Sequence, residues 1–345
     1  MPEVTIVGAG AIGGTLGAYL ARAGRNVCMV DKVEEHVRAM RERGLTIEAY
    51  DGTFTVPVKA ATVDELTGPL GLVVLAVKAQ DTAAAMESLL PLLGPDSTVV
   101  SFQNGLCERT IAEMIGPERT VGCFVNYSAD YLAPGVITYG GAGAVYLGEL
   151  DGTISDRVRE LQDLFSAWGN ISVTDNIWGY LWGKMGYANM LFATALADET
   201  MADVTDRFRP LMIELAAEIY EVADREGVRL ETFDAIEPAL YYPRENQDPD
   251  ALNRSLDRLT AWQRSNKKVK SGIWRDLAVR HRKTEVDEQT ARAVEIGARH
   301  GLPMPLTRAV IAMIHELEDG TREMSWGNLD ELDALRSAEA AAARS

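Results

Sequence analysis

The chain has 345 residues, 47% of them hydrophobic and 25% charged, a globular balance with enough length for two ordinary domains. Its formal charge of −17 repels phosphate backbones and anionic lipid surfaces, which excludes nucleic acid and membranes as expected partners. No apolar run approaches the roughly 18 residues of a membrane span. The N-terminal apolar stretch is broken by glycines and lacks a cationic leader. Cys28, Cys107 and Cys123 fit no zinc or CxxC spacing, so thiols in a cytoplasmic, metal-free protein are expected.

In chain order, Val4–Val7 is a short β-branched run that reads as a strand. Glycines follow at once, then an amphipathic stretch, Thr15–Ala23, which Gly24 closes as a helix cap. Val27–Val30 is a second buried strand and completes a strand–helix–strand unit. A helix is expected over about Glu34–Arg43, and a hairpin over Leu45–Ala49 and Phe54–Val58, turned at Asp51-Gly52. Leu72–Val77 and Thr98–Phe102 are continuous apolar strands. Strands alternating with helices predict a parallel sheet covered on both faces. The glycine-rich β-pattern from Val121 to Leu150 predicts antiparallel strands added at the sheet edge. A helix at Ser155–Trp168 and a strand at Ile171–Thr174 end this region.

From Asn176 onward the period is helical, with segments at Trp178–Leu196, Arg207–Glu226, Ala251–Lys267, Thr284–His300 and Met304–Glu318. Glu237–Asp250 carries three prolines and reads as a loop; Ala334–Ser345 reads as an alanine-rich, low-complexity tail, either a frayed helix or disordered. The expected organisation is therefore α/β: a Rossmann-type first domain over 1–175, an all-helical domain over 176–333 and a tail over 334–345. Trp178, Trp182, Tyr220, Tyr241, Tyr242 and Trp262 offer more aromatic surface than one small helical domain needs, which predicts a homodimer.

Residues Val7–Gly14 read VGAGAIGG, in which Gly8, Gly10 and Gly13 fit G-x-G-x-x-G between a strand and a helix. The first glycine suits the tight turn, the second lets backbone approach a pyrophosphate, and the third lets helix and strand pack closely. With Ala11 and Ile12, the helix N-terminus then faces the phosphates. Asp31 ends the second strand, where a carboxylate accepts from ribose hydroxyls and repels a 2′-phosphate. That places NAD ahead of NADP, although Lys32 follows immediately and Asp31 also suits a solvated turn.

Four more segments matter: VKAQDT (Val77–Thr82), SFQNG (Ser101–Gly105), LWGKMGYAN (Leu181–Asn189) and RKTEVD (Arg282–Asp287). Together with VGAGAIGG, their order and spacing from about residue 2 to 318 resemble the ketopantoate reductase family. The resemblance implies a Rossmann domain followed by a helical domain of the 6-phosphogluconate-dehydrogenase-like type. It implies Lys184 as general acid, Glu285 as its support, and Asn104 beside the nicotinamide and substrate. It also implies Lys78 along the cofactor and Ser271 near the substrate carboxylate, with Asp276 at a nearby acidic position.

The chemistry is consistent with those roles. Hydride attack on a ketone builds negative charge on oxygen, and an ammonium both stabilises it and supplies a proton. The residues also admit quieter readings: Lys184 as a snorkelling surface lysine, Glu285 as a helix-dipole complement after Thr284, and Asn104 as turn chemistry. His36, His281, His300 and His315 have no partner at a telling spacing, which argues against a histidine-based enzyme.

The chain departs from the family where asparagines usually stand four and eight residues after the lysine. Ala188 and Phe192 occupy those positions, and Asn189 lies about 100° further round the helix. Ala188, Phe192 and Ser271 are the expected substrate contacts, and a less polar 2-oxo acid than ketopantoate fits them. The leading expectation is therefore an oxidoreductase acting on a 2-oxo/2-hydroxy acid with NAD(H). The alternatives are a true NADPH-dependent 2-dehydropantoate 2-reductase of pantothenate synthesis, and a non-catalytic dinucleotide-binding regulator.

Overall fold

The computed structural model describes residues 3–141, 143–265 and 268–342, and the chain divides into two compact units, Met1–Ile177 and Trp178–Ser345. The first unit opens with β1 (Val4–Val7), α1 (Ala11–Arg22), β2 (Val27–Val30) and α2 (Glu34–Arg43). Next come β3 (Leu45–Ala49), β4 (Gly52–Val56), β5 (Lys59–Ala61), β6 (Leu70–Leu75), α3 (Thr82–Leu89), β7 (Leu93–Ser101), α4 (Cys107–Ile115) and β8 (Thr120–Asn126). β9 (Ala129–Ala133), β10 (Val136–Tyr139), β11 (Ala144–Glu149), α5 (Asp156–Phe165) and β12 (Ser172–Val173) follow.

Eight strands form one sheet in the order β12-β11-β8-β7-β6-β1-β2-β5. Every neighbouring pair is parallel except β11 with β8. Val4, Ile6, Val73, Val74, Val99 and Val100 are fully buried, because helices leave the central strands no solvent face. The chain runs outward through β1, β2 and β5, then crosses back to β6 on the other side of β1. The carboxyl end of β1 thus lies at the point where the strand order reverses, the usual ligand crevice of such sheets.

The region 121–150 does not lie wholly at the sheet edge, which corrects the expectation. β8 and β11 extend the large sheet, but β9 and β10 join the β3–β4 hairpin in a separate sheet of order β4-β3-β10-β9. Leu45, Ile47, Ile137 and Tyr139 are its buried face, and their alternation with polar neighbours is the mark of a one-faced sheet. The hairpin pairs Ala49 with Gly52, so β4 starts two residues earlier than its composition indicates. β5 has only three residues, too few for any period to register.

The second unit is built on α6 (Ile177–Thr194), α7 (Met201–Arg207), α8 (Arg209–Arg225), α9 (Pro238–Tyr241), α10 (Pro249–Ser265) and α11 (Gly272–Ala278). A π-helical turn, Asp287–Ala291, precedes α12 (Arg292–Arg299), and α13 (Pro305–Glu318) and α14 (Trp326–Ala342) complete it. The end of the expected helix at residues 266–267 and the last three tail residues lie outside the described residues. The rest of the tail is no separate segment: it continues α14, whose Leu329 and Leu332 are fully buried and whose alanines favour helix. The aromatic surplus is also corrected. Trp182, Tyr220 and Tyr241 are wholly interior, and of the six named aromatics only Trp262, at 42%, is strongly exposed. No helix among the described residues is long and apolar enough to cross a membrane.

Candidate active site

The glycine turn sits on the carboxyl end of β1. The Gly8 and Ala9 amides donate to the Val30 carbonyl at 2.8 and 3.1 Å, and Ala76 N donates to Val7 O at 2.8 Å. Gly8 has φ +96°, and a Cβ there would come within 2.6 Å of the Ala76–Val77 backbone. A Cβ at Gly13 would meet the Gly8 carbonyl at 2.3 Å, so close packing of α1 on β1 excludes any side chain. Gly10 differs: nothing lies within 4 Å of its would-be Cβ. It caps α1 without any side-chain acceptor, leaving first-turn amides to a ligand. Gly8, Gly10, Ala11 and Ile12 are partly exposed, whereas Gly13 is buried.

His36, at 1% exposure, holds this turn from beneath. The Gly135 amide donates to its Nδ1 at 2.9 Å, so Nε2 must carry the proton it shares with the Ala9 carbonyl, also at 2.9 Å. Sequence reasoning missed this role, because the partners stand 27 and 99 residues away. On the other side, the Tyr127 hydroxyl donates to the Ile12 carbonyl at 2.8 Å.

Asp31 follows β2 and is partly exposed; its Oδ1 accepts from Val33 N at 3.0 Å. Lys78 follows β6, also partly exposed, and Asn104 follows β7 as the one exposed residue in the run Ser101–Glu108. The first unit therefore gathers the glycine turn, Lys78 and Asn104 at the carboxyl ends of the adjacent strands β1, β6 and β7. Just behind Asn104, Glu108 on the first turn of α4 is 1% exposed, and burial pushes its carboxyl up to about 7.

Lys184 is the only residue between Leu181 and Met190 that is not buried. Partly exposed Tyr180 and Leu191 and nearly buried Ala188, at 8%, share its stripe of α6. Glycines flank it: a Cβ at Gly186 would strike the Tyr220 ring at 2.2 Å, and the buried Tyr220 hydroxyl donates to Gly183 O at 3.0 Å. These glycines were the available sequence signal for Tyr220, and it went unread. Phe192 corrects an expectation. With 0% exposure it belongs to the interior, about 80° round the helix from Lys184, and partly exposed Leu191 shares the stripe of Lys184 instead. Asn189 is also fully buried and donates to Leu215 O at 2.8 Å and Thr307 Oγ1 at 2.9 Å, so its displacement from the family's position reflects a packing role.

Glu285 is partly exposed between buried Thr284 and Val286. The Thr284 amide and hydroxyl both donate to Glu318 Oε1 at 2.7 Å, which pins the segment to the end of α13. Asp287 closes no capping box; its carboxylate meets His315 Nε2 at 3.0 Å, and a π-helical turn begins there. Ser271 caps α11, accepting from Trp274 N at 3.1 Å, and is 4% exposed. Asp276 is buried, and its Oδ1 takes Arg282 at 2.8 Å and Arg280 at 3.3 Å. Among the described residues no His, Cys, Asp or Glu cluster could hold a metal ion.

The family model for ketopantoate reductase PanE/ApbA matches residues 4–152, and that for its C-terminal part matches residues 176–318. A 2-dehydropantoate 2-reductase of Mesorhizobium japonicum is 29% identical over 91% of this chain and 97% of its own length. That of Pyrococcus horikoshii is 26% identical over 92% and 97%. The crystal structure of 2-dehydropantoate 2-reductase from Geobacter metallireducens matches with TM-score 0.77 at 25% identity, covering 91% of this chain and 99% of that one. D-Mandelate dehydrogenase with NADH and anilino(oxo)acetate matches with TM-score 0.79 at 21% identity over 92% and 98%, a likeness of fold.

The sheet with its glycine turn and the helical second unit define a two-domain oxidoreductase of the dinucleotide-binding class. The chain belongs to the ketopantoate reductase family, and it is an enzyme of that type.

Proposed function

We infer that this enzyme transfers hydride between NAD(H) and a 2-oxo/2-hydroxy acid, with Lys184 as general acid and Glu285 as its partner. The observation that carries the reading is the position of Lys184, a partly exposed cation in a stretch of α6 that is otherwise buried from Leu181 to Met190. An ammonium presented there can both stabilise a developing oxyanion and supply a proton. The glycine turn fits a dinucleotide: Gly10 leaves room, and the first-turn amides of α1 are uncapped by side chains. Gly8, Gly10, Ala11, Ile12, Asp31, Lys78 and Asn104 would hold it, with Gly13 keeping α1 against β1. A bound nicotinamide supplies or accepts the hydride at the substrate C2. Lys184 Nζ gives its proton to the ketone oxygen in reduction and regains it in oxidation. Glu285 offers a carboxylate to orient that ammonium, and the Asn104 amide can orient the reacting carbonyl. Ala188 and Leu191 beside Lys184 favour an apolar substrate side chain.

A second reading is NADPH-dependent reduction of 2-dehydropantoate, favoured by the names of the curated relatives. Steady-state rates with NADH and NADPH against 2-dehydropantoate, 2-oxoisovalerate and phenylpyruvate separate the two. NADH with an apolar 2-oxo acid should give the highest kcat/KM; NADPH with 2-dehydropantoate as the best pair would replace the first reading by the second.

A homodimer accompanies the proposal. The ketopantoate reductase of Staphylococcus aureus, 18% identical, is described as dimeric, and Trp262 here is exposed. Light scattering at micromolar concentration should give twice the chain mass, and a monomer would remove this part.

A further inference from the structure

Gln103 and Asn104 are adjacent and face opposite ways. Asn104 is exposed, whereas the Gln103 side chain turns into the protein and is 6% exposed. Its Nε2 donates to the Val77 carbonyl at 3.0 Å and to Thr82 Oγ1 at 2.8 Å, and its Oε1 lies 3.4 Å from Ser101 Oγ. Both amide protons are therefore spent on the segment that carries Lys78: one on the residue before it, the other on the first residue of α3 after it. The Val77–Lys78 turn follows β6 and the Gln103–Asn104 turn follows β7. These strands pair in parallel, but their ladder ends at Leu75 with Ser101. Beyond it, Phe102 N still donates to Leu75 O at 2.8 Å, and the Gln103 side chain then continues the linkage past the last backbone bond.

We propose that Gln103 is a positioning residue that locks the Lys78 turn to the Asn104 turn, so that both meet the cofactor as one rigid floor. The inference rests on the reading that Lys78 and Asn104 face the cofactor. Only an amide suits the place. A carboxylate of the same size would set an acceptor against the Val77 carbonyl, and an apolar side chain would leave that carbonyl and the buried Thr82 hydroxyl without their donor. Thr82 is 3% exposed, so water does not readily replace the lost bond.

The test compares Gln103→Leu, Thr82→Val and Thr82→Ser with the unmodified enzyme by NADH fluorescence titration, kcat, KM and thermal melting. Gln103→Leu should weaken NADH binding by roughly fivefold to tenfold and lower kcat at saturating NADH, and Thr82→Val should show part of the same loss. Thr82→Ser, which keeps the hydroxyl, should stay near the unmodified values. Combining Gln103→Leu with Thr82→Val should cost less than the product of the single effects, because both remove one bond. A lower Tm with unchanged NADH affinity and kcat would make Gln103 a stabilising residue only and overturn the proposal. If Gln103→Leu does not fold, the Thr82→Val and Thr82→Ser pair decides by the same criteria. Lys78→Ala and Asn104→Ala run alongside. No effect in either would remove the underlying reading together with this inference, and effects in both with none in Gln103→Leu would overturn the inference alone.

Discussion

Lys32 donates to Asp81 at 2.9 Å, so the cation that follows Asp31 is already engaged by a carboxylate from another loop. A 2′-phosphate arriving beside Asp31 would meet that acid directly, with the neighbouring lysine turned to Asp81. The pair is exposed, at 78% and 38%, so it is worth little and can be broken by one substitution. The enzyme should therefore show higher kcat/KM with NADH than with NADPH. Asp81→Asn should release Lys32 and raise the NADPH/NADH ratio by roughly threefold to fivefold, in keeping with a surface charge contact. Asp31→Arg should raise it further. A preference for NADPH in the unmodified enzyme would end this account.

Substrate polarity follows from the stripe of α6 that carries Lys184. Ala188 and Leu191 stand where a polar substrate would want amides. Apolar 2-oxo acids should outperform 2-dehydropantoate, each well-buried methylene contributing roughly 1 kcal/mol. Ala188→Asn should narrow the gap. Should 2-dehydropantoate be the fastest substrate of the unmodified enzyme, its hydroxyl must be met by residues elsewhere.

Glu108 gives a pH dependence of stability. Its folded value of about 7 lies above the ordinary 4.5, because burial on the first turn of α4 disfavours the charged carboxylate. The folded state thus holds a proton that the unfolded chain has released, and stability falls as pH rises from about 4.5 to 7. Above that window the full cost remains. Glu108→Gln should leave stability near pH 4 unchanged and raise it at pH 8 by something on the order of 2–3 kcal/mol. Thermal melts at both pH values measure this, and equal melting differences at the two would contradict it.

Much of the fold was legible because its signals are local. β1, α1 and β2 follow from a β-branched run, a glycine turn and an apolar helix face, and the helical period fixed α6, α8, α10 and α13 within a few residues. What escaped was non-local or too short. The second sheet depends on β10 pairing with β3 some 90 residues earlier in the chain, as the Thr138–Glu48 bond shows. α7 and α11 have seven residues each, too few for a clear period. At the proposed site, the motif residues stand out in the sequence, but the contacts that support them do not. His36 under Ala9, Tyr220 against Gly183, Gln103 under Val77 and Glu318 on Thr284 are contacts across large sequence separations. Phe192 was misjudged because helical spacing alone gives an angle and not which side the core lies on.

The decisive prediction concerns Lys184 and Glu285. The alkoxide formed by hydride transfer needs a cation within hydrogen-bond reach. Three of the four histidines are otherwise engaged: His36 is held under the glycine turn by Gly135 N and Ala9 O, His300 pairs with Glu226, and His315 pairs with Asp287, while His281 is exposed on the segment before Thr284. Lys184 is held by a helix whose backbone is fixed immediately before it through Tyr220, so its ammonium is presented by a rigid support. Glu285 is presented likewise, since Thr284 is bound twice by Glu318. Lys184→Ala should lower kcat by something like ~10²–10⁴-fold, the usual range for a positioned acid. NADH affinity should hardly change, because the dinucleotide would bind on the glycine turn of the other unit. Glu285→Ala should lower kcat less and raise KM. Glu318→Ala should give a milder version of the Glu285 effect, by loosening the segment without touching its carboxylate. If folded, cofactor-binding Lys184→Ala keeps near-normal turnover, the acid is another group and the mechanism proposed here is wrong.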